Sequence, residues 1–258
     1  MPAATTESFS SSRFRIVEWV KRIRQALAAH WEEHWEASSP QLLRSPWERY
    51  WGGTYSPELK RWLLKPVFEQ LEKEGKIGDV IVDAGSGAAP VTALLERKPA
   101  RKRILVDIAA DNNASANEQR IQLDLEKVAE PDALSMRKAL SRVRRFLEAS
   151  PDAKAIPPGA DMIVFSDVLN YVDFQKVLGG FTNYLKAGGR AVIVNMPMRG
   201  NPCLFSENGL TDNRQLCRYL EKHGFEIEMK SFPKRTAGST EESEELIVLV
   251  ARKCGRSG

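Results

Sequence analysis

Two spacings of hydrophobic residues follow one another along the chain and change over near residue 79. Before that point apolar side chains recur at every third or fourth position, as in Ile16, Val20 and Ile23, which is the spacing of an amphipathic helix. After it, short unbroken apolar runs alternate with helical segments. Unbroken runs are typical of strands covered on both faces, and helices between such strands form right-handed crossovers in a parallel sheet. The pattern therefore predicts a helical N-terminal segment and then a doubly wound α/β domain.

The individual elements can be placed from these runs and from their turn residues. Strands are predicted at residues 80–82, 104–106, 121–123, 162–165 and 191–194. Helices are predicted at residues 14–35, 57–71, 91–97, 174–186 and 212–223, and within 127–149 after Pro131. Gly75 is expected to close the second helix in a left-handed cap, and Gly188-Gly189 to end the helix at 174–186. Strands and helices therefore alternate through most of the second part of the chain.

The C-terminal end departs from this alternation. Phe225, Ile227 and Met229 alternate with polar residues, and a second apolar run occupies residues 246–250. No helical pattern separates the two, so we expect them to pair as an antiparallel hairpin at the edge of the sheet.

These patterns divide the chain into three predicted segments. Residues 1–13 are rich in Ser, Thr and Ala, which is typical of a disordered terminus, and they lack the basic-then-apolar order of a secretory signal. Residues 14–75 are expected to form a helical segment that carries many Trp and Tyr residues. Residues 76–258 are expected to form the α/β domain.

Composition narrows the class of protein. Of the 258 residues, 42% are hydrophobic and 28% are charged, which suits one sizeable core and a polar surface. The net charge of +4 is mild and does not by itself indicate a nucleic-acid partner. The three cysteines form no CxxC pair, and no apolar run reaches about 18 residues. We therefore expect a cytoplasmic protein without a membrane partner.

The clearest chemical motif follows the first predicted strand, where the sequence reads Asp83-Ala84-Gly85-Ser86-Gly87. Glycines let the backbone turn sharply and let a ligand approach it, and the free N–H groups of the next helix point to the same place. Asp107 ends the second strand, 20 residues after Gly87. A carboxylate there can accept hydrogen bonds from the two hydroxyls of a ribose. The motif therefore predicts a nucleotide-binding turn.

Further polar residues follow the third and fourth strands. Asp124 comes after the third strand, where it could meet the exocyclic amine of an adenine, and Ser166 and Asp167 come after the fourth. The carboxyl ends of parallel strands share one edge of an open α/β sheet, which is where such sheets bind ligands. Asp124 and Asp167 could instead be helix N-caps, and both interpretations stay open at this point.

With these residues in place, residues 79–253 resemble the class I S-adenosylmethionine-dependent methyltransferases. The resemblance rests on residues 83–89, which look like that family's acidic-x-Gly-x-Gly-x-Gly loop with Ala89 at the third glycine. Dinucleotide dehydrogenases prefer Gly-x-Gly-x-x-Gly, and here Pro90 occupies the last position. The resemblance implies an α/β fold with a doubly wound, mostly parallel, seven-stranded sheet of Rossmann-like type. It also implies that the last strand is inserted antiparallel beside the fifth.

The resemblance further implies a cofactor, S-adenosylmethionine, and a set of residues around it. The glycine turn is assigned to the methionine part, Asp107 to the ribose and Asp124 to the adenine. Aromatic segments before the sheet often fold over the cofactor as a lid in this family, which makes Tyr50 a candidate. The residues assigned to the cofactor are Asp83, Gly85, Ser86, Gly87, Asp107, Ile108, Asp124, Leu125, Ser166, Asp167 and Tyr50.

The residues after the fourth strand are expected to border the transferring methyl group. Transfer from a sulfonium depends mostly on alignment and exclusion of water, because the leaving group is already activated. Asp167, Asn170 and Tyr171 are the candidate catalytic residues, since they could hold or deprotonate an acceptor. The segment lacks the Asn-Pro-Pro-Tyr sequence that the family uses for adenine and glutamine N-methylation, which argues against those acceptors. Asn195, after the fifth strand, could form another wall or merely cap the strand end.

The kind of acceptor stays open. The aromatic N-terminal region favours a closed pocket for a small molecule that is methylated on O or N. The basic run at residues 137–145 favours RNA or protein, although such runs usually mark a solvated helix face. A non-catalytic partner subunit that binds the cofactor and a nicotinamide oxidoreductase are further alternatives. His30 and His34 match the H-x-x-E-H arrangement of zinc proteases, but without supporting context, so no metal is predicted.

Overall fold

The structure is a computed structural model, and it describes residues 57–87, 90–95, 101–108, 115–148, 159–195, 206–231 and 247–255. All of these belong to one compact unit that covers residues 48–258. The predicted helix at 14–35, the lid candidate Tyr50, and His30 and His34 lie outside the described residues.

Helix α1 (Pro57–Lys73) is the first described element. Its buried apolar side chains lie along one face, as the three- and four-residue spacing predicts. They are Leu63, Leu64, Val67, Phe68 and Leu71. After the helix, Gly75 has a φ of 68° and the N–H of Lys76 donates to the carbonyl of Leu71 at 2.8 Å. The predicted left-handed cap at Gly75 is therefore confirmed.

The centre of the fold is one seven-stranded sheet. Its strands are β1 (Val80–Ala84), β2 (Lys102–Asp107), β3 (Glu118–Gln122), β4 (Ala160–Ser166), β5 (Leu185–Asn195), β6 (Phe225–Ser231) and β7 (Ile247–Lys253). They lie in the order β3-β2-β1-β4-β5-β7-β6. The first five strands are parallel, and β7 runs antiparallel to both β5 and β6. The predicted fold is confirmed, including the antiparallel insertion of the last strand, β7, beside β5; β3 and β6 are the two edge strands.

Helical segments connect the strands. They are a first 3₁₀ helix (Val91–Leu95), a second 3₁₀ helix (Leu125–Ala129), α2 (Leu134–Glu148), α3 (Phe174–Asn183) and α4 (Asn213–Lys222). Within the described ranges, the segment predicted as a helix from residue 91 is thus a short 3₁₀ turn. None of the described helices is both long and apolar enough to cross a membrane.

Strand residues alternate between two hydrophobic cores, one on each face of the sheet. Val82 and Ile163 face one core, which is completed by side chains of α2, α3 and α4 such as Phe146, Leu178 and Leu216. Ile81 and Val164 face the other core, which is completed by α1 and the first 3₁₀ helix. The sheet is therefore covered on both sides, which explains its unbroken apolar strands.

The structure corrects the prediction at the start of β5. Helix α3 ends at Asn183 and the strand begins at Leu185, so Gly188-Gly189 lies within the strand and does not end the helix. Gly188 has a φ of 78°, and the pairing of β4 with β5 changes register here. The two glycines therefore belong to a bulge, where a residue of positive φ lets the strand bend.

Candidate active site

The carboxyl ends of the first four parallel strands meet along one edge of the sheet, which we call the rim. Asp83 lies near the end of β1, and Asp107 is the last residue of β2. Asp124 follows β3 by two residues, and Asp167 follows β4 by one. The structure thus places all four predicted acids at one edge, where open α/β sheets bind ligands.

The turn after β1 depends on glycine for two separate reasons. Gly85 has a φ of 76°, and its N–H donates to the carbonyl of Val106 at 2.8 Å. A Cβ atom on Gly85 would lie 2.6 Å from Cγ2 of Val168, far inside van der Waals contact. Gly87 has a φ of 57°, but a Cβ there would meet no atom within 4 Å. Both positions therefore need a left-handed backbone, and Gly85 also needs the absence of a side chain.

Asp107 joins this turn to the neighbouring strand. The N–H of Gly87 donates to Oδ2 of Asp107 at 2.9 Å. The half-buried carboxylate is thus held beside the turn by a charge-assisted hydrogen bond. Beyond it, Nε2 of Gln122 donates to the carbonyl of Ile108 at 3.2 Å, which ties the end of β2 to β3. The structure thus brings together the glycine turn and Asp107, the two features from which the sequence predicts a nucleotide-binding site.

Asp83 is buried beneath the turn, with 1% of its surface exposed. Its Oδ2 accepts hydrogen bonds from the backbone N–H of Thr92 at 3.2 Å and from Oγ1 of Thr92 at 2.9 Å. The carboxylate therefore ties β1 to the start of the first 3₁₀ helix and supports the turn between them. Thr92, which is fully buried, was missed by the sequence analysis because no local pattern marks it.

Asp124 has the N-cap geometry that the sequence left open as an alternative. Its Oδ1 accepts from the N–H of Glu126 at 3.0 Å at the start of the second 3₁₀ helix. The side chain is exposed at the rim, whereas the adjacent Leu125 is buried in the core. Capping fixes the orientation of Asp124, and one carboxylate can cap a helix and still accept from a ligand.

The segment after β4 is buried and has a strained backbone. Ser166 and Asp167 are 3% and 2% exposed. Asp167 has a φ of 54°, and among the described residues it is the only one other than glycine with a positive φ. Its N–H donates to the carbonyl of Val194 at 2.7 Å, which holds the strained residue against β5. Strained residues of this kind concentrate at functional sites. Asp167 does not cap α3, because Asp173 does.

Three buried asparagines form a cluster beside this segment. Nδ2 of Asn195 donates to Oδ1 of Asn170 at 3.2 Å and to Oδ1 of Asn213 at 3.3 Å. The exposed fractions of Asn170, Asn195 and Asn213 are 2%, 0% and 2%. The cluster connects the segment after β4, the end of β5 and the start of α4. The side chain of Asn170 is therefore held in place by Asn195, and the adjacent Tyr171 is half-buried.

A second set of contacts links the segment that follows β3 to the segment that follows β4. Oε1 of Glu126, next to the cap of the second 3₁₀ helix, accepts from the N–H of Asp173 at 2.8 Å. Nearby, Nζ of Lys176 donates to Glu130 at 2.7 Å, and this contact lowers the pKa of the carboxyl and raises the pKa of the ammonium. The segments that follow β3 and β4 are thus held together by side chains outside the rim itself.

No protein-family model and no curated protein matches the sequence. Among solved structures, the CurJ carbon methyltransferase is similar, with a TM-score of 0.51 and 16% identity over 76% of this chain and 54% of that one. This chain thus spans about half of the length of that protein. Also similar is a 1,6-didemethyltoxoflavin-N1-methyltransferase from Burkholderia thailandensis, with a TM-score of 0.49 and 15% identity over 84% of this chain and 92% of that one.

A magnesium protoporphyrin IX methyltransferase from Synechocystis PCC 6803 is similar as well, with a TM-score of 0.49 and 14% identity over 83% and 95% of the two chains. The likeness to CurJ, with a TM-score of 0.51, shows a shared fold. The resemblance drawn from residues 83–89 is thereby confirmed for the fold: this chain has the class I methyltransferase fold.

Proposed function

We propose that this protein is an S-adenosylmethionine-dependent methyltransferase. The observation that carries the proposal is the hydrogen bond between the N–H of Gly87 and Oδ2 of Asp107. It places a carboxylate directly beside a left-handed glycine turn at the ligand-binding edge of a methyltransferase fold. A nucleoside with a free ribose suits this arrangement, because a carboxylate repels a 2′-phosphate and accepts from hydroxyls.

The residues at the rim fit such a cofactor by their donor and acceptor chemistry. A carboxylate can accept several hydrogen bonds at once, and Oδ2 of Asp107 accepts one from the N–H of Gly87. We assign Asp107 and Ile108 to the ribose side, Asp124 and Leu125 to the adenine side, and the turn from Gly85 to Gly87 to the methionine part. The lid candidate Tyr50 remains part of this proposal. Asp83 is assigned to the same part, where its contact with Thr92 supports a positioning function.

The acceptor side supplies alignment and exclusion of water. The bound cofactor supplies a methyl group on an activated sulfonium. With the cofactor bound, an O or N atom of the acceptor would take the methyl group as the sulfonium becomes a neutral thioether, and the acceptor would give up a proton. Asp167, Asn170 and Tyr171 are the groups we place to orient the acceptor or take up that proton. Alignment alone can contribute about 7–11 kcal/mol in favourable cases, so a strong base is not required.

For the acceptor we propose a small molecule. The residues that border the transferring methyl are enclosed, since Ser166, Asp167 and Asn170 are each at most 3% exposed. Enclosed polar groups suit a small ligand that can be surrounded. RNA or protein is the second candidate, favoured by the basic residues of α2. A cofactor-binding partner subunit without activity is the alternative that only turnover assays over a broad panel of acceptors can separate from these. We also propose a cytoplasmic location, with which the free thiols of Cys217 and Cys254 agree.

Calorimetric titration with S-adenosylmethionine and S-adenosylhomocysteine tests the cofactor assignment. We expect micromolar binding that falls about tenfold to hundredfold in Asp107→Ala, because ribose hydroxyls lose a charged hydrogen-bond acceptor. Asp132→Ala is the matched control, since it removes an exposed acid that is not among the residues assigned to the cofactor, and it should leave binding unchanged. Unaltered affinity in Asp107→Ala would remove the ribose assignment. Binding of nicotinamide nucleotides in place of both compounds would overturn the class of enzyme.

A further inference from the structure

Helix α2 concentrates the positive charge of the protein. Its 15 residues contain five basic residues and one acidic residue, a net charge of +4. The whole chain has 38 basic and 34 acidic residues, which is also a net charge of +4. All residues outside this helix therefore balance to zero. The net positive charge of the protein is thus located on one helix and is not spread evenly over the surface.

The basic residues of α2 lie on its outer surface. Arg137, Lys138, Arg144 and Arg145 are exposed, and Arg142 is half-buried. The apolar residues of the same helix face the core, where Met136, Ala139 and Phe146 are buried. We call the five basic residues the basic face of α2.

The basic face retains most of its charge in the folded protein. Within the described part of the chain, its one ion pair joins Nε of Arg144 to Glu148 at 2.7 Å. Arg137 donates to the carbonyl of Asp132, and Arg145 donates to the carbonyl of Ser141, so these two bind neutral oxygens. A guanidinium has five N–H donors, so a backbone contact leaves others for a ligand.

The spacing and the residue type suit a row of phosphates. From residue 137 to residue 145 the helix rises about 12 Å, at about 1.5 Å per residue. Four of the five cations are arginines, whose planar fork matches phosphate oxygens in a bidentate manner. The phosphodiester backbone of a nucleic acid presents anionic groups repeatedly over such a length.

A membrane surface fits the basic face less well. Helices that bind membranes insert an apolar face between the lipids, but the apolar face of α2 already packs on the sheet. Among the described residues, the only large hydrophobic side chain that is exposed is Leu134, at the first position of α2. One leucine at the end of a helix provides too little area for insertion.

We propose that the basic face of α2 binds the phosphate backbone of a nucleic acid. This inference goes beyond the proposed function, because it assigns a second binding surface and does not depend on the cofactor. Helix α2 follows the second 3₁₀ helix, which begins at the rim with Asp124. From there α2 runs to the opposite edge of the sheet, since Nζ of Lys102, the first residue of β2, lies 5.1 Å from the ring centre of Phe146 near the end of α2. The basic face is therefore a surface separate from the rim.

Fluorescence anisotropy with a labelled RNA duplex of about 20 base pairs, and with a DNA duplex of the same length, tests the proposal. We expect binding whose affinity falls with salt at a logarithmic slope of about −3 to −4, since about four phosphates release counterions. The two duplexes distinguish RNA from DNA as the source of the phosphates. A slope near zero, or tighter binding to anionic phosphatidylserine vesicles or to polyglutamate, would overturn the proposal.

Variants of the full-length protein locate the surface. The quadruple variant Arg137→Gln/Lys138→Gln/Arg142→Gln/Arg145→Gln is expected to lose at least about tenfold in affinity, and its salt slope falls by about one for each phosphate contact removed. The control is Arg214→Gln/Arg218→Gln/Lys222→Gln, which removes three exposed charges from α4, one fewer than the test variant, and should leave binding nearly unchanged. Equal losses in both variants would contradict a site on α2.

Two further measurements keep folding and cofactor binding apart from this result. Arg137→Lys/Arg142→Lys/Arg145→Lys keeps the charge and is expected to keep the salt slope while it loses part of the affinity, because an ammonium lacks the planar fork. A salt slope lost at an unchanged melting temperature would contradict the proposal. The quadruple glutamine variant should bind S-adenosylhomocysteine like the unmodified protein. Failure of nucleic-acid binding with intact cofactor binding refutes the surface alone, and the opposite result refutes the proposed function alone.

Discussion

The two halves of the rim are built in different ways. The ends of β1 and β2 form the half that we propose binds the cofactor, which we call the cofactor half. There the backbone defines the geometry: Gly85 and Gly87 have positive φ angles, and the N–H of Gly87 donates to Asp107. The ends of β4 and β5 form the half that we propose holds the acceptor, which we call the acceptor half. There buried side chains define the geometry, since Asn195 joins Asn170 to Asn213. A backbone-built site depends on the residue type at single positions. A side-chain-built site depends on residues that are distant in sequence, and it can change while the fold stays the same.

The largest expected effect is on the cofactor half. Gly85→Ala should lower the free energy of unfolding by about 2–5 kcal/mol, because it adds a left-handed strain of about 1–2 kcal/mol to the clash with Val168. Binding of S-adenosylhomocysteine should be lost as well. Urea denaturation and calorimetry measure the two quantities.

Gly87→Ala provides the matched control for that substitution. It carries the left-handed strain without a clash, since a Cβ there meets no atom within 4 Å, and should cost about 1 kcal/mol. The double variant Gly85→Ala/Val168→Ala should recover the part that comes from the clash. Equal losses in the free energy of unfolding at Gly85 and Gly87 would show that the contact with Val168 contributes nothing. The cofactor half and the segment after β4 would then be less closely packed than we describe.

A smaller effect is expected on the acceptor half. Asn195→Ala removes the donor for two buried acceptors, on Asn170 and Asn213, and should lower the free energy of unfolding by about 2 kcal/mol. Affinity for S-adenosylhomocysteine should change little, because the cluster lies on the other half of the rim. Asn183→Ala, which alters an exposed asparagine at the end of α3, should cost less than about 0.5 kcal/mol. A large loss of cofactor affinity in Asn195→Ala would break the division of the rim into two halves.

The same contrast explains how far the sequence predicts this molecule. The glycine turn, the acids at the strand ends and the C-terminal hairpin were predictable, because positive φ, strand ends and alternation leave local signals. The cluster around Asn195 was not, since Asn170 and Asn213 lie 25 and 18 residues away in sequence and follow no period. Gly188-Gly189 was misinterpreted because a glycine pair signals a helix end and a strand bulge equally well.

Local sequence patterns also do not show which charged side chains are buried. Arg101 and Arg103 flank Lys102 in an unbroken run of three basic residues, yet they are 5% and 8% exposed. Arg101 donates to both carboxylate oxygens of Glu72 at 3.0 and 3.1 Å, and Arg103 pairs with Glu118 at 2.6 Å. The partners belong to α1 and to β3, so only the assembled fold shows that these buried cations are paired.

The smallest expected effect lies on the sheet beyond the two halves of the rim, and it provides the baseline for comparing them. Arg190 in β5 binds both carboxylate oxygens of Glu228 in β6, at 2.8 and 3.0 Å, and this contact lowers the pKa of Glu228. A lowered carboxyl pKa contributes stability that is fully present above the ordinary pKa and is lost as the pH falls through the lowered value. Glu228→Gln should therefore cost under about 1 kcal/mol at neutral pH, and its difference from the unmodified protein should shrink in acid.

Urea denaturation of Glu228→Gln from neutral pH down into the acid range measures this dependence, with the exposed Glu207→Gln as the control. Cofactor affinity should stay unchanged, because the pair supports the β5–β7–β6 side of the sheet and touches neither half of the rim. A difference that stays constant with pH would show that Glu228 acts through its shape and neutral hydrogen bonds and not through its charge. A change in cofactor affinity would show that this side of the sheet is coupled to the rim, and stability and binding effects at Gly85 and Asn195 could then no longer be attributed to the separate halves.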